Sequence, residues 1–242
     1  MALETNSAAF NTEKGDSKAI VSNQQGVHEK LDEIVKRHLE NDFKKPYQQH
    51  TQQAFADIDA KVTSFIASNP SGNIILDACC GVGQSTRLLA QQNPSALVIG
   101  VDKSDHRLSR NVEGFSSDNG FVANNFHLVR ADLNDFYRLV KAANWPVSQH
   151  FILYPNPWPK SKHIRRRWHG SAVFPQMTSI GEQLVLRSNW RLYLEEFQQA
   201  AAWVGLKGNI DVVPLVKPSL ALTPFEAKFQ ASQQTCWQLT LR

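Results

Sequence analysis

Residues 73–102 read NIILDACCGVGQSTRLLAQQNPSALVIGVD. Two apolar runs stand out, Asn73–Ala78 and Ala96–Asp102. Neither alternates with polar residues, so both predict strands buried on two faces. Between them lie a glycine-containing turn and a helical stretch, Gln84–Gln92. Strand, turn, helix and strand make a βαβ unit, and such units build parallel sheets. Downstream the alternation continues. Helical stretches are expected at 104–113, Leu133–Ala143 and Trp190–Trp203. Strands are expected at Phe126–Ala131, His150–Pro155, Gln183–Arg187, Asn209–Pro214 and Thr235–Leu241. The expected fold class is therefore α/β, a doubly wound, seven-stranded, mostly parallel Rossmann-like sheet. Upstream, helical spacing predicts helices over His28–Leu39 and Gln49–Ala67. Residues 1–26 are polar and read as a mobile tail. The expected division is a tail over 1–26, a helical region over 27–70 and the main domain over 71–242.

Composition narrows the class. The chain has 242 residues and 42% apolar content, enough for one sizeable core. Its three cysteines, Cys79, Cys80 and Cys236, have no zinc-ligand spacing. They predict reduced thiols, a cytoplasmic location and no metal. No run approaches the length needed to span a bilayer. The formal net charge of +4 points to a polyanionic partner only where the cations cluster.

Ligands of doubly wound sheets sit outside the carboxyl ends of the strands. The first strand ends in Asp77-Ala-Cys-Cys-Gly81-Val-Gly83. A dinucleotide fingerprint needs a third glycine where Thr86 stands, so a pyrophosphate ligand is disfavoured. An acidic residue before a shorter glycine pair suits a ligand with a cationic amino-acid end, such as S-adenosyl-L-methionine. The bland alternative is a tight turn without a ligand. Asp102 ends the second strand, where a carboxylate can accept both ribose hydroxyls or cap the helix that follows. Asp132 follows the third strand, placed for an adenine end or for another cap.

The fourth strand runs into Tyr154-Pro-Asn156-Pro-Trp158-Pro-Lys160. Prolines at 155, 157 and 159 stiffen the backbone and display Asn156 and Trp158 at the expected reaction centre. Five cations follow within eight positions: Lys160, Lys162, Arg165, Arg166 and Arg167, with His163 among them. Cations beside tryptophans predict RNA contact through phosphate neutralisation and stacking. A plain solvated face is the competing reading.

Together these motifs resemble the tRNA (guanine-N7)-methyltransferase family. The resemblance covers roughly residues 50–242. Phe151–Arg167, FILYPNPWPKSKHIRRR, is similar to the family's strand-four signature. Arg187–Tyr193 is similar to its Thr-Asp segment, and Leu222–Glu226 to its Thr-x-x-Glu motif. The resemblance implies a class I methyltransferase. Asp77, Asp102 and Asp132 would bind the methyl donor, and Gly81 and Gly83 would shape the pocket. Asn156 would stand between donor and base. Lys160 and the stretch Lys162 to Arg167 would contact RNA, with tRNA the leading partner. Asn189, Thr223 and Glu226 would hold the acceptor nucleotide. The sequence names no protein partner.

Three positions depart from the family pattern. Asn156 and Asn189 replace aspartates, and Cys79 replaces the first glycine of the donor loop. The lost negative charges weaken recognition of guanine's donors and suit better a base edge with an acceptor beside a donor, such as adenine. Two other functions therefore stay open. Asn156-Pro157-Trp158 loosely resembles the tetrad of exocyclic-amino methyltransferases, and a non-catalytic RNA-binding relative is the third reading.

Overall fold

The computed structural model describes residues 15–110 and 124–242. Its seven strands are β1 (Asn73–Ala78), β2 (Ala96–Asp102), β3 (Phe126–Arg130), β4 (Val147–Leu153), β5 (Gln183–Ser188), β6 (Gly208–Val212) and β7 (Trp237–Leu241). They form one sheet in the order β3-β2-β1-β4-β5-β7-β6. Only β7 runs antiparallel to its neighbours. The order reverses between β1 and β4, which opens a crevice beyond their carboxyl ends. The doubly wound, mostly parallel architecture expected from the sequence is thus the one observed.

The helices are α1 (Leu31–Glu40), α2 (Gln49–Ser68), α3 (Gln84–Gln92), α4 (Asp105–Ser109), α5 (Leu133–Ala143), α6 (Phe174–Thr178), α7 (Arg191–Ala202) and α8 (Pro224–Ala231). Of the helix expected over 104–113, residues 111–113 lie outside the described residues, as do 1–14 of the tail. No described helix is long and apolar enough to cross a membrane.

Apolar periodicity explains which face each helix turns inward. Leu31, Ile34 and Val35 of α1 and Phe55, Ile58 and Val62 of α2 are buried. They join the core on one side of the sheet with Phe136, Phe174 and Phe197. The helical extension is therefore built into the main core. At its centre Phe55 stacks on Trp145 at 5.3 Å, and Phe136 meets both rings edge-on. Truncating the fully buried Phe136 to alanine would cost about 3–5 kcal/mol.

The other side of the sheet is covered unevenly. Ile75, Val98, Phe151 and Val185 pack under Leu89 and Ala90 of α3 and under Leu222. Beyond them Gln149, Gln183, Gln238 and Thr240 line a groove of about 410 Å³. Polar side chains at these inward-alternating positions match a sheet face left to water. Close approach of α3 depends on Gly100, where an added Cβ would lie 2.2 Å from the Thr86 hydroxyl oxygen.

The polar segment before α1 makes specific bonds where it is described. The Gly15 N–H donates to Ala231 O at 3.0 Å, and the Ser22 hydroxyl to Pro159 O at 2.6 Å. The Ser161 N–H donates to Asn23 Oδ1 at 3.0 Å. Residues 15–26 thus lie as a strap across α8 and the loop after β4.

Candidate functional site

The first bank of the crevice is the turn between β1 and α3. Cys79, Gly81 and Gly83 all take left-handed φ values, of 61°, 61° and 74°. That conformation costs a non-glycine residue about 1–2 kcal/mol, a strain borne here by Cys79. A Cβ at Gly81 would meet nothing within 4 Å, so its backbone borders open space.

Two carboxylates hold this turn. Asp77 is fully buried, and its Oδ2 accepts from the Ser85 hydroxyl at 2.6 Å and the Thr86 hydroxyl at 2.7 Å. Its Oδ1 is buried without a hydrogen-bond partner among the described residues. Burial pushes its pKa up to about 6. Asp102, 3% exposed, accepts from the Gly81 N–H at 3.0 Å and the Ser104 N–H at 2.8 Å. The helix cap is Ser104, whose hydroxyl accepts from the Arg107 N–H, so the capping role considered for Asp102 falls to its neighbour. Asp132 does serve as a cap: its Oδ1 accepts from the Asn134 N–H at 2.9 Å. The thiols beside the turn stay protonated. Burial, then the Asp102 charge, pushes Cys79 up to about 12, and burial also raises Cys80.

The opposite bank follows β4. Here Tyr154 and Trp158 take left-handed φ values of 51° and 45°. Such values in bulky residues mark strain held by the surrounding structure. Asn156 is exposed, and its Oδ1 accepts from the Trp158 N–H at 3.4 Å. The Arg166 guanidinium lies 4.8 Å from the Trp158 ring centre, and the His163 ring meets the indole edge-on at 5.7 Å. Burial, then the cations Arg166 and Lys162, lowers the His163 pKa.

The cationic run divides. Lys160, Lys162, Arg165 and Arg166 are exposed. Arg167 is 0% exposed, which corrects its assignment to the RNA-facing surface. Its guanidinium donates to Trp158 O through Nε at 3.2 Å and Nη2 at 3.1 Å, and pairs with Glu196. Glu196 also bonds His169 at 2.9 Å, the His28 N–H at 3.0 Å and the Gln24 amide. Burial alone would raise Glu196, but His169, Arg167 and Gln24 outweigh it and hold its pKa at about 2. Sequence reasoning missed Glu196, although its position between the buried Tyr193 and Phe197 places a charge on the apolar face of α7.

A second ion pair, with its carboxylate buried, braces the same bank. Glu226, 1% exposed, accepts from Arg187 and from the Tyr154 hydroxyl, each at 2.8 Å. It also accepts from the Leu222 N–H at 3.3 Å. Thr223, 7% exposed, caps α8 through the Glu226 N–H. Glu226 ties α8 to Tyr154 after β4 and to Arg187 of β5, while Thr223 holds the start of α8. Asn189 is half-buried and donates through Nδ2 to Gln234 Oε1 at 2.8 Å.

Comparison with known proteins bears on this arrangement. A family model described as "Putative methyltransferase" matches residues 71–239. The tRNA (guanine-N(7)-)-methyltransferase of Mycobacterium avium is 31% identical over 96 residues, covering 39% of this chain and 35% of that protein. The match thus spans about a third of that relative's length. The protein of the same description from Chlorobium phaeobacteroides is 25% identical over 160 residues, covering 66% and 74%. Among solved structures, the 16S rRNA (adenine(1408)-N(1))-methyltransferase from Catenulisporales acidiphilia superimposes with a TM-score of 0.54. It is 16% identical, with 76% of this chain and 92% of that chain covered, a likeness of fold.

Proposed function

The chain belongs to this methyltransferase family, and from that premise we propose that it transfers a methyl group from S-adenosyl-L-methionine to N7 of a guanine in tRNA. The carrying observation is the facing of two unlike banks across the switch point. One is an open backbone turn held by carboxylates, and the other a rigid loop flanked by four exposed cations.

The residues of the first bank fit the donor. Asp77 Oδ1, buried and without a partner among the described residues, offers an acceptor for an ammonium. Asp102 has lone pairs beyond its two backbone bonds for ribose hydroxyls. Gly81 leaves room for a ligand against the main chain. When bound, the donor supplies an electrophilic methyl on a sulfonium.

The protein's own work is positioning. Guanine N7 carries a free lone pair, so no group has to remove a proton from it. Reacting atoms need alignment at about 3–3.5 Å. The loop from Tyr154 to Trp158 is suited to this, because left-handed strain and the Arg167 clamp leave it few alternatives. Lys160, Lys162, Arg165 and Arg166 would neutralise backbone phosphates. Asn156, on the second bank, would contact the base.

The test is transfer from labelled donor to unmodified tRNA, followed by mass spectrometry of the nucleosides. The expected product is 7-methylguanosine. A methylated adenine would replace the base assignment, and donor binding without any tRNA product would overturn the substrate.

A further inference from the structure

Asn156 and Asn189 follow the ends of neighbouring strands, since Leu153 of β4 pairs with Arg187 of β5. Both reach the surface. A carboxamide can present either its oxygen or its nitrogen, and here the backbone decides which.

For Asn156 the deciding group is the Trp158 N–H, which only donates. Asn156 Oδ1 accepts from it at 3.4 Å, so the Nδ2 donor is left for a ligand. For Asn189 the polarity is relayed from the strap. The Ser17 carbonyl only accepts, and Gln234 Nε2 donates to it at 2.8 Å. Gln234 Oε1 must then turn toward Asn189, whose Nδ2 donates to it at 2.8 Å. Asn189 Oδ1 is left as an acceptor. The two residues therefore offer one donor and one acceptor, and no charge.

All four bases show an acceptor next to a donor on the pairing edge. Guanine shows this at O6 and N1–H. Guanine alone adds a second adjacent donor, the 2-amino group, and a donor–donor edge calls for two acceptors. We propose that Asn156 and Asn189 hold the target guanine by its O6 and N1–H and leave the 2-amino group unread. This rests on the guanine reading above, and it makes inosine at the target position an equal substrate. Inosine keeps O6, N1–H and N7 and lacks only the 2-amino group. A site that bonds a polar group discriminates strongly against the analogue lacking it, whereas a site that ignores the group does not.

The experiment compares kcat/KM on two tRNA transcripts that differ only by guanosine or inosine at the methylated position. The wild-type ratio is expected within about threefold of one. The Asn156→Asp/Asn189→Asp variant, which offers two charged acceptors, should prefer guanosine by about tenfold or more. A wild-type preference for guanosine of tenfold overturns the inference while leaving the guanine-N7 reading in place. No methyl on either transcript overturns that reading, and this inference with it. A second measurement needs no activity. The side-chain amide signal of Asn189, identified by its loss in Asn189→Asp, should shift and exchange faster in Gln234→Leu. An unmoved signal overturns the relay.

Discussion

The two banks of the crevice are built by different means. The first is a short-range construction: three left-handed residues within five, with Asp77 and Asp102 bonding groups at most 21 positions away. The second is held by long-range charge. Arg167 meets Glu196 across 29 positions and Gln24 across 143, and Arg187 meets Glu226 across 39. Backbone geometry with a few local side-chain bonds can shape a cradle for a small ligand. Displaying a strained loop to a large one takes anchors from several elements.

This contrast can be broken most forcefully at Glu196. Replacing it with alanine leaves the Arg167 guanidinium buried without its counter-charge, at a cost of about 3–5 kcal/mol. Urea unfolding should show it, and a loss under 1 kcal/mol would mean that the second bank does not depend on this pair. On the first bank, Asp102→Ala removes the acceptor of Gly81 and Ser104. Affinity for S-adenosyl-L-methionine should fall about 10- to 100-fold by calorimetry, from hydrogen bonds to a charged group. Unchanged affinity would detach Asp102 from the donor.

The banks should also respond to pH with opposite signs. Asp77 titrates at about 6 in the folded protein against an ordinary 3.8, so it binds more protons folded than unfolded. Its contribution is full below pH 4 and declines as pH rises through about 6. Glu196 titrates at about 2 against an ordinary 4.5, so its contribution is present above pH 4.5 and is lost as pH falls toward 2. Asp77→Asn should flatten the stability profile on the higher side and Glu196→Gln on the lower. A single variant that flattened both would show the banks to be one coupled unit. The smallest effect is expected at the surface. Arg165→Ala/Arg166→Ala should leave stability within about 0.5 kcal/mol. It should reduce the slope of log affinity for tRNA against log salt by roughly 0.7–0.9 per lost phosphate contact. An unaltered slope would make these arginines a solvated face.

The same difference in range explains what could be read in advance. Asn73–Ala78, Gln84–Gln92, Ala96–Asp102 and Leu133–Ala143 stand where apolar patterning placed them, because local burial determines them. β4 begins at Val147, before the expected His150, because Ser148 and Gln149 are polar and half-buried, with Gln149 facing the open groove. Arg167 reads as one more charge of a cationic run, and it is the bonds to Trp158 O and to the distant Glu196 and Gln24 that take it inside. Thr223-Pro-Phe-Glu226 matches an acceptor motif, yet the same letters spell a helix start, with Thr at the cap and Pro in the first turn. The strap stayed hidden because hydrogen bonds from serine, asparagine and glutamine leave no apolar period.

The strap's attachment has a consequence for how the protein comes into being. Gly15 and Ser17 bond Ala231 and Ser232, partners more than 200 positions away in the chain. The ribosome releases the strap more than 200 residues before its docking site, so the strap stays unattached while β1 to β6 emerge. The polarity that Ser17 imposes on Gln234 and Asn189 is therefore set only after Gln234 has emerged. Until then a nascent chain carries the first bank complete and the second without its Gln234–Asn189 relay.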